Sequence, residues 1–396
     1  MDILYLLRKY PAISQSFILN EIHELERRGH SIYIFALDEP DSDIKHTELS
    51  NIRAKIQYSA PASFSNLLKY FPPRAVYLYV LKHSGPRNNL KRQIEALFYA
   101  GQCIRFLKNI SPSIDVVHTH FADFTTVPSR YVASYFGIPS TVTAHAFDLY
   151  NNPEPDLVPH YLSSMDRIIT ISDYNKNFIS NLIDNSPPID VVHAGIRPEK
   201  FTPTEGTVTN RIFTVSRLVE KKGILDAIHS VSSAVERISS LEYHIAGTGE
   251  MRSRLEQKIN VLGLADNIKL LGSVSDARLI EEYQSAEIFL LPSVIADSGD
   301  RDGIPVVLME AMAMKTPPVS TTVSGIPELI THRENGLLVE PHDISAIADS
   351  VTELLMNNEY RKALGCSGRA TVIEEYNISN EVKKLEASFE SAIERV

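Results

Sequence analysis

The chain alternates, twice over, between short apolar runs and longer stretches whose apolar residues recur at helical spacing. The first series reads DILYLL, SFILNEIHELERRG, SIYIFAL, and later VVHTHF, STVTAHA and RIITIS. Runs that are continuous in Ile, Val and Leu, rather than alternating with polar residues, belong to strands buried on both faces. A parallel sheet sandwiched between helices provides that environment, and its strands need long crossovers, which the amphipathic stretches supply. The first half is therefore predicted to be a doubly wound α/β domain. A second series follows: RIFTVSRL, ILDAIHSVSSAVERI, EYHIAGTG, MRSRLEQKINVLG, IKLLGSV, IEEYQSAE, IFLLPSV, DGIPVVLMEAMA and PPVST. Between the two, VVHAGIRPEKFTPTEGTVTN crowds Pro, Gly, Thr and Asn together without hydrophobic period, which marks a connection. The expected organisation is two Rossmann-like domains, 1–195 and 211–375, a linker at 196–210, and a final amphipathic segment, 376–396, that packs back on the body.

A length of 396 residues supports this division, because single cores stop growing at roughly 250–300 residues. No apolar run approaches the roughly 18 residues of a membrane span. The start, MDILYLLRKYP, has an acid first and its charges after the apolar run, the reverse of a secretory signal. The two cysteines, Cys103 and Cys366, are far apart and indicate neither a disulfide framework nor a cysteine metal site, so a cytoplasmic location is expected. Residues 53–108 hold ten basic residues (Arg53, Lys55, Lys69, Arg74, Lys82, Arg87, Lys91, Arg92, Arg105 and Lys108) against one acid, Glu95. With interleaved aromatics this stretch is either a solvated basic face or a peripheral contact with an anionic membrane surface at the inner face of the cell membrane. Nucleic acid is disfavoured as a partner, because the net charge is −10 and no recognised binding motif occurs.

Ligands of open α/β sheets bind beyond the carboxyl ends of the strands. In SRLVEKKG, Arg217 and Lys222 stand where a strand ends and a helix is about to begin, and two cations at such a rim can clamp a diphosphate. In GTGE, Gly247 and Gly249 allow a tight turn beside a ligand, but Arg252 occupies the third glycine position of G-x-G-x-x-G, which argues against a dinucleotide cofactor. In DGIPVVLMEAMA, Pro305 is expected in the first turn of a helix. The amides of Val306 and Val307 and the positive dipole end then suit a phosphate. Asp302 lies just ahead of this end and Glu310 eight positions later on an apolar helix, where a charge needs a partner. Sugar hydroxyls would satisfy both carboxylates; a helix cap at Asp302 and a salt bridge from Glu310 to a neighbouring helix are the structural alternatives. His118 and His120, in VVHTHF, lack an identifiable third ligand, which favours a structural or cleft-lining role over metal binding. Asp297, Asp300 and Asp302 are expected in a solvated loop.

In order and spacing, SRLVEKKG, GTGE, LLGSV, LPS, DGIPVVLMEAMA, PPVST and GIPELI resemble the donor-binding domain of retaining GT-B glycosyltransferases of family 4. YPAISQSFILNEIHELERRGHSIYIFAL resembles the exopolysaccharide and colanic-acid branch of that family. The resemblance covers nearly the whole chain and implies the GT-B fold, two Rossmann-like domains facing across a cleft. It places Glu310 on the nucleotide ribose, Asp302 on the donor sugar, and Arg217 and Lys222 on the pyrophosphate. Gly303, Ile304, Val306 and Val307 become donor contacts at the helix entry, and Gly272, Ser273 and Val274 hold the base through their backbone. His145, in TAHAFD, corresponds to the histidine beside the transferred sugar. Asp302 replaces the family's first Glu and Pro305 a common Gly. The first-strand loop lacks the family's paired glycines and offers Ser14, Gln15 and Ser16 to the acceptor.

The implied reaction moves a sugar from a UDP- or GDP-linked donor to a saccharide or polyprenyl-linked acceptor, with retention of configuration and with neither a cofactor nor a metal. A nucleotide-sugar 2-epimerase of the same fold, or a nucleotide-sugar-binding module without activity, are the alternatives.

Overall fold

A computed structural model describes residues 1–12, 15–40, 52–61, 66, 90–110, 112–204 and 206–395. By internal contacts the chain divides into two compact units: 1–171, 176–193 and 381–396 form the first, and 172–175 with 194–380 the second.

The first unit is built on a parallel sheet whose described strands run β3-β2-β1-β4-β5-β6-β7. They are β1 (Asp2–Lys9), β2 (Ser31–Asp38), β3 (Lys55–Tyr58), β4 (Val116–His120), β5 (Ser140–Ala144), β6 (Arg167–Thr170) and β7 (Ile189–Val191). Strands β4, β5 and β6 are buried at every position, their polar residues included, as befits a sheet covered on both faces. The covering helices include α1 (Ser16–Arg27), α2 (Leu90–Ile110), α3 (Thr126–Phe136), α4 (Ala146–Tyr150), α5 (Val158–Ser163) and α6 (Asp173–Leu182). On α1 the apolar residues Ile18, Leu19, Ile22 and Leu25 recur at helical spacing and are buried. Helix α3 ends where Gly137 takes φ 68°, a left-handed C-terminal stop that glycine adopts without strain.

The second unit repeats the plan with the order β10-β9-β8-β11-β12-β13, all parallel. Its strands are β8 (Arg211–Val215), β9 (Glu242–Ala246), β10 (Ile268–Gly272), β11 (Ile288–Leu291), β12 (Pro318–Thr321) and β13 (Leu337–Val339). Between them run α7 (Ile224–Val235), α8 (Arg252–Val261), α9 (Asp276–Ser285), α10 (Val306–Ala313) and α11 (Ile326–Leu329). Three further helices follow: α12 (Ile344–Met356), α13 (Asn358–Glu375) and α14 (Ile378–Ile393). One apolar cluster includes Ile228, Tyr243, Leu290 and Leu354, and another Phe213, Tyr283, Phe289 and Met312.

The division at 193/194 places the segment 196–204 and 206–210 with the second unit, where Ile196 bridges Asn377 and a 3-10 turn spans Pro198–Lys200. From Glu381 onward the chain returns to the first unit, where the ring of Phe389 meets His118 edge-on at 5.1 Å. In both sheets the order reverses at a central pair, β1/β4 and β8/β11. The carboxyl ends of such a pair open the crevice in which α/β sheets hold ligands.

Candidate functional site

At the reversal of the second sheet, β8 gives way to Ser216 and Arg217, and β11 to Pro292 and Ser293. The turn between β8 and α7 carries Glu220–Lys222 as a 3-10 helix closed by Gly223, whose φ is 64°. A Cβ at Gly223 would stand 1.8 Å from the Pro292 carbonyl oxygen, so only glycine brings the two loops this close. Lys222 Nζ donates to Asp302 Oδ2 at 2.7 Å, and the Ser293 hydroxyl donates to the same oxygen at 3.1 Å. Lys221 Nζ lies 2.9 Å from Asp300 Oδ1 and 3.7 Å from Asp302 Oδ1. Lys221 and Asp302 are buried, so the solvated loop expected around Asp300 and Asp302 is instead an ion-pair network; Asp297 alone of the three is exposed. The reason is that Lys221, one position before the expected phosphate ligand, turns inward and needs an acid.

Electrostatics within this network are opposed. Burial pushes the Lys222 amine below its ordinary value of 10.5, Asp302 pulls it up, and the nearby charges of Lys221 and Arg217 pull it down again. Burial likewise raises the Asp302 carboxyl, but Lys222, Lys221 and the Ser293 hydroxyl outweigh it and hold the group below 3.8. Arg217 is exposed, and its charge reaches Lys222. Lys221 and Lys222 are matched by Asp300 and Asp302, and Arg217 adds a further positive charge that acts on Lys222.

Pro305 is the N-cap of α10 rather than its first helical residue: φ −65° fits a helix, but ψ 121° is extended, so the helix begins at Val306. The amides of Val306 and Val307 occupy the first turn, whose N–H groups have no intrahelical acceptor. Gly303 and Ile304, both buried, bring the chain from Asp302 to this point. Glu310, further along α10, accepts a hydrogen bond of 2.8 Å from the Tyr283 hydroxyl of α9. Burial pushes its carboxyl above 4.5 despite that bond. The structural alternatives read from the sequence fit these acids only in part: Asp302 is the counter-ion of Lys222, not a cap, and Glu310 accepts a hydrogen bond from a phenol while the Lys200 charge also acts on it. Tyr283 was not legible beforehand, because its place at the centre of an aromatic cluster depends on Phe213 and Phe289 from two strands.

The glycines at the ends of β9 and β10 complete the rim. Gly247 has φ 128°, a Cβ there would meet the Ser216 oxygen at 1.8 Å, and its amide donates to the Gly272 carbonyl at 2.8 Å. A Cβ on Gly249 would meet the Leu218 oxygen at 2.3 Å. Gly272, with φ 72°, closes β10; Ser273 beyond it is exposed and Val274 half-buried.

In the first unit the strand ends gather histidines. His145 follows β5 as the N-cap of α4, and its backbone N–H donates to the Asp148 carboxylate at 2.8 Å. The Ala122 amide donates to the same carboxylate at 2.6 Å; burial nevertheless pushes Asp148 up to about 8. His145 Nε2 lies 3.0 Å from His120 Nδ1, and His120 Nε2 lies 3.1 Å from Glu21 Oε1. Tyr5 donates its hydroxyl to that oxygen at 2.6 Å. Glu21 is the third partner that the H-x-H spacing does not reveal: donor atoms of Glu21, His118 and His120 lie within 4.8 Å of one another, a grouping able to hold a metal ion. His118 is itself held between the Thr141 and Thr143 hydroxyls, at 2.8 and 3.2 Å. Of the acceptor candidates, Ser14 lies outside the described residues, Gln15 is the half-buried N-cap of α1, and Ser16 is exposed in its first turn.

Among the basic residues of 53–108, Lys69, Arg74, Lys82 and Arg87 lie outside the described residues. Of the described ones, Arg53, Lys55, Lys91, Arg105 and Lys108 are exposed, while Arg92 is half-buried and engaged by Glu154 and by the Tyr161 hydroxyl. Among the described residues no helix is long and apolar enough to cross a membrane.

The family description "Glycosyltransferase Family 4" matches residues 14–200, and "Glycosyl transferases group 1" matches residues 197–371. The chain belongs to these glycosyltransferases. It is 28% identical to the amylovoran biosynthesis glycosyltransferase AmsK of Erwinia amylovora, over 95% of this chain and 96% of that one. A second relative, the putative colanic acid biosynthesis glycosyltransferase WcaL of Escherichia coli K12, is 28% identical over 88% of this glycosyltransferase and 89% of its own length. Among solved structures, Anabaena Alr3699/HepE in complex with UDP and glucose superposes with a TM-score of 0.76 at 14% identity, covering 99% of this chain and all of that one. A glycosyltransferase from Rickettsia africae gives 0.74 at 16% identity, over the whole of this chain and 99% of the other. These likenesses establish the GT-B fold of two Rossmann-like domains expected of the glycosyltransferase.

Proposed function

We propose that this glycosyltransferase moves a hexose from a UDP- or GDP-linked donor to a hydroxyl of a saccharide or polyprenyl-linked acceptor, with retention of anomeric configuration, in the synthesis of a surface polysaccharide or glycolipid. One observation carries the reading: Lys222 pairs with Asp302 just ahead of α10, whose first turn has amides without intrahelical acceptors and whose interior carries a carboxylate, Glu310.

The diphosphate leaving group develops negative charge as the glycosidic bond breaks. Arg217, Lys222 and the α10 amides are the groups suited to stabilise it, and removing one such donor typically lowers the rate by about 10²-fold or more. Asp302 orients Lys222 through their ion pair and keeps lone pairs for a sugar hydroxyl. Glu310 accepts from the ribose hydroxyls, and the backbone of Gly272, Ser273 and Val274 borders the base. Gly247 and Gly249 allow the close approach of the β9 turn. His145 orients the transferred sugar, and Gln15 and Ser16, with Ser14, border the acceptor. No metal or cofactor enters this scheme. The names of the relatives, which place AmsK in amylovoran and WcaL in colanic acid biosynthesis, support the polysaccharide context, and the UDP and glucose bound by HepE support the donor class. Docking of residues 53–108 on an anionic cytoplasmic membrane surface belongs to the same proposal.

Incubation with radiolabelled UDP- and GDP-hexoses and a polyprenyl-linked saccharide tests the reading. Label is expected in the acceptor with wild type and not with Glu310→Ala. An epimerised donor formed with no acceptor present would favour the epimerase instead.

A further inference from the structure

We infer that Tyr5, Glu21 and His120 form a directed hydrogen-bond chain that fixes His145 as the neutral imidazole with its proton on Nε2, making Glu21 and His120 positioning residues for the group the proposed transfer needs beside the sugar. The inference rests on that reading for the role of His145, but not for the chain of hydrogen bonds itself.

The order of donors follows from the chemistry of the two ends. Tyr5 is fully buried, and burial together with the Glu21 charge pushes its phenol far above 10, so the hydroxyl keeps its proton and donates to Glu21 Oε1. A carboxylate has no proton to give, so the contact from His120 Nε2, at 3.1 Å, must be N–H donating to the same oxygen. Across the 3.0 Å contact between His120 Nδ1 and His145 Nε2 one nitrogen donates and the other accepts, and the far side of the His145 ring decides which. There His145 and Asp148 form a capping box at α4, in which the imidazole accepts from the Asp148 backbone amide, so the ring proton of His145 is on Nε2 and donates to His120 Nδ1. Burial also disfavours a charge on the His145 imidazole.

The rings are also fixed in space. His120 and His145 stack with 5.3 Å between centroids and 20° between planes, and Tyr5 stacks on His120 at 5.9 Å and 17°. Phe17 and Phe121 press on His145 at 4.6 and 4.8 Å. Glu21 and Phe17 both project from α1, so one helix supplies the carboxylate at one end of the chain and an aromatic wall at the other. His118 is not a link: its two nitrogens meet the Thr141 and Thr143 hydroxyls, and its Nε2 stands 4.0 Å from Glu21.

Long-range 15N–1H correlation spectra of the full chain, labelled at histidine, read the tautomers directly. The expected result is Nε2–H at both His120 and His145, with the Nδ1–H tautomer rising at both in Glu21→Gln, whose amide can donate where the carboxylate cannot. Nδ1–H at His145 in the wild type overturns the inference, whether or not the protein transfers sugar. In the transfer assay, Glu21→Gln is expected to lower kcat roughly 10- to 100-fold, the range typical of partners that orient a functional histidine, with little change in donor KM. His120→Asn keeps an acceptor near Nδ1 and is expected to retain more activity than His120→Ala, with both folded by circular dichroism. Because Glu21 acts through His120, adding Glu21→Gln to His120→Asn is expected to cost nothing further; fully additive losses contradict the chain. Activity that falls on chelation and returns with Zn²⁺ would assign Glu21, His118 and His120 to a metal ion and overturn it as well. Wild-type protein with the expected tautomers but no sugar transfer would sink the proposed function and leave the hydrogen-bond chain intact.

Discussion

Replacing Lys222 with Met removes the shorter of the two ion contacts to a buried carboxylate. At an effective dielectric of about 20, a contact of 2.7 Å is worth roughly 6 kcal/mol, and the remaining Lys221 contact at 3.7 Å about 4.5 kcal/mol. The difference is not the stability change, because burial already holds the Lys222 amine below its ordinary value, so part of the gain is spent on desolvation. Asp302 also keeps the Ser293 hydroxyl and a second cation, which places the loss below the roughly 3–5 kcal/mol of a buried charge stripped of its only partner. A loss of about 2 kcal/mol is expected, or a Tm lower by roughly 4–8 °C for a unit of this size. In the double variant Lys222→Met, Asp302→Asn the orphaned charge is gone, and most of the lost Tm should return while sugar transfer stays absent. Calorimetry of the four proteins, with transfer assays alongside, separates the two effects. An unchanged Tm in Lys222→Met, or a double variant less stable than either single one, refutes the network as the organiser of this loop.

Other consequences follow from the same geometry. Gly247→Ala puts a Cβ 1.8 Å from the Ser216 oxygen at a φ of 128°, and is expected to lower the urea midpoint and weaken nucleotide binding together; a stable, fully binding variant would contradict the rim geometry. Asp302, held below 3.8 in the folded chain, contributes stability at pH values above 3.8 that is lost as pH falls through its folded value, so Asp302→Asn should flatten the acid limb of a Tm-against-pH profile below pH 4. Glu310 is raised above 4.5, so donor KM should climb on acidification at a pH higher than a free glutamate would give, and Glu310→Gln should abolish that inflection. Anionic vesicles should bind the wild type, and replacing Lys82, Arg87 and Lys91 should weaken that binding; co-sedimentation unchanged by the substitutions would remove membrane docking.

The central strands of both sheets were legible because each is written in a contiguous run: DILYLL sits in β1, RIITIS opens with β6, and IFLL is β11 whole, whereas the short strands β3, β7 and β13 were not read from the sequence. The helix in DGIPVVLMEAMA was legible too, although its start moved by one residue, since proline fixes φ and leaves ψ free. The partners of the charges were not. Lys222 and Asp302 are 80 positions apart, and His120 and Glu21 are 99, so only the folding of separate strands and helices onto one sheet edge brings them together. On α1 the apolar stripe of Ile18, Leu19, Ile22 and Leu25 identifies the buried face, and Glu21 beside it has the same polar pattern as any surface glutamate. Lys221 was similarly hidden: in EKKG nothing local distinguishes the lysine that turns inward from the one at the rim.

Isothermal titration of UDP and GDP, against their monophosphates, into wild type and Glu310→Ala tests the central claim most directly. One nucleoside diphosphate should bind the wild type more tightly than its monophosphate, and Glu310→Ala, folded with an unchanged Tm, should lose that binding. Equal affinity for mono- and diphosphate, or a Glu310→Ala protein that binds as the wild type does, contradicts capture of the leaving group at these strand ends.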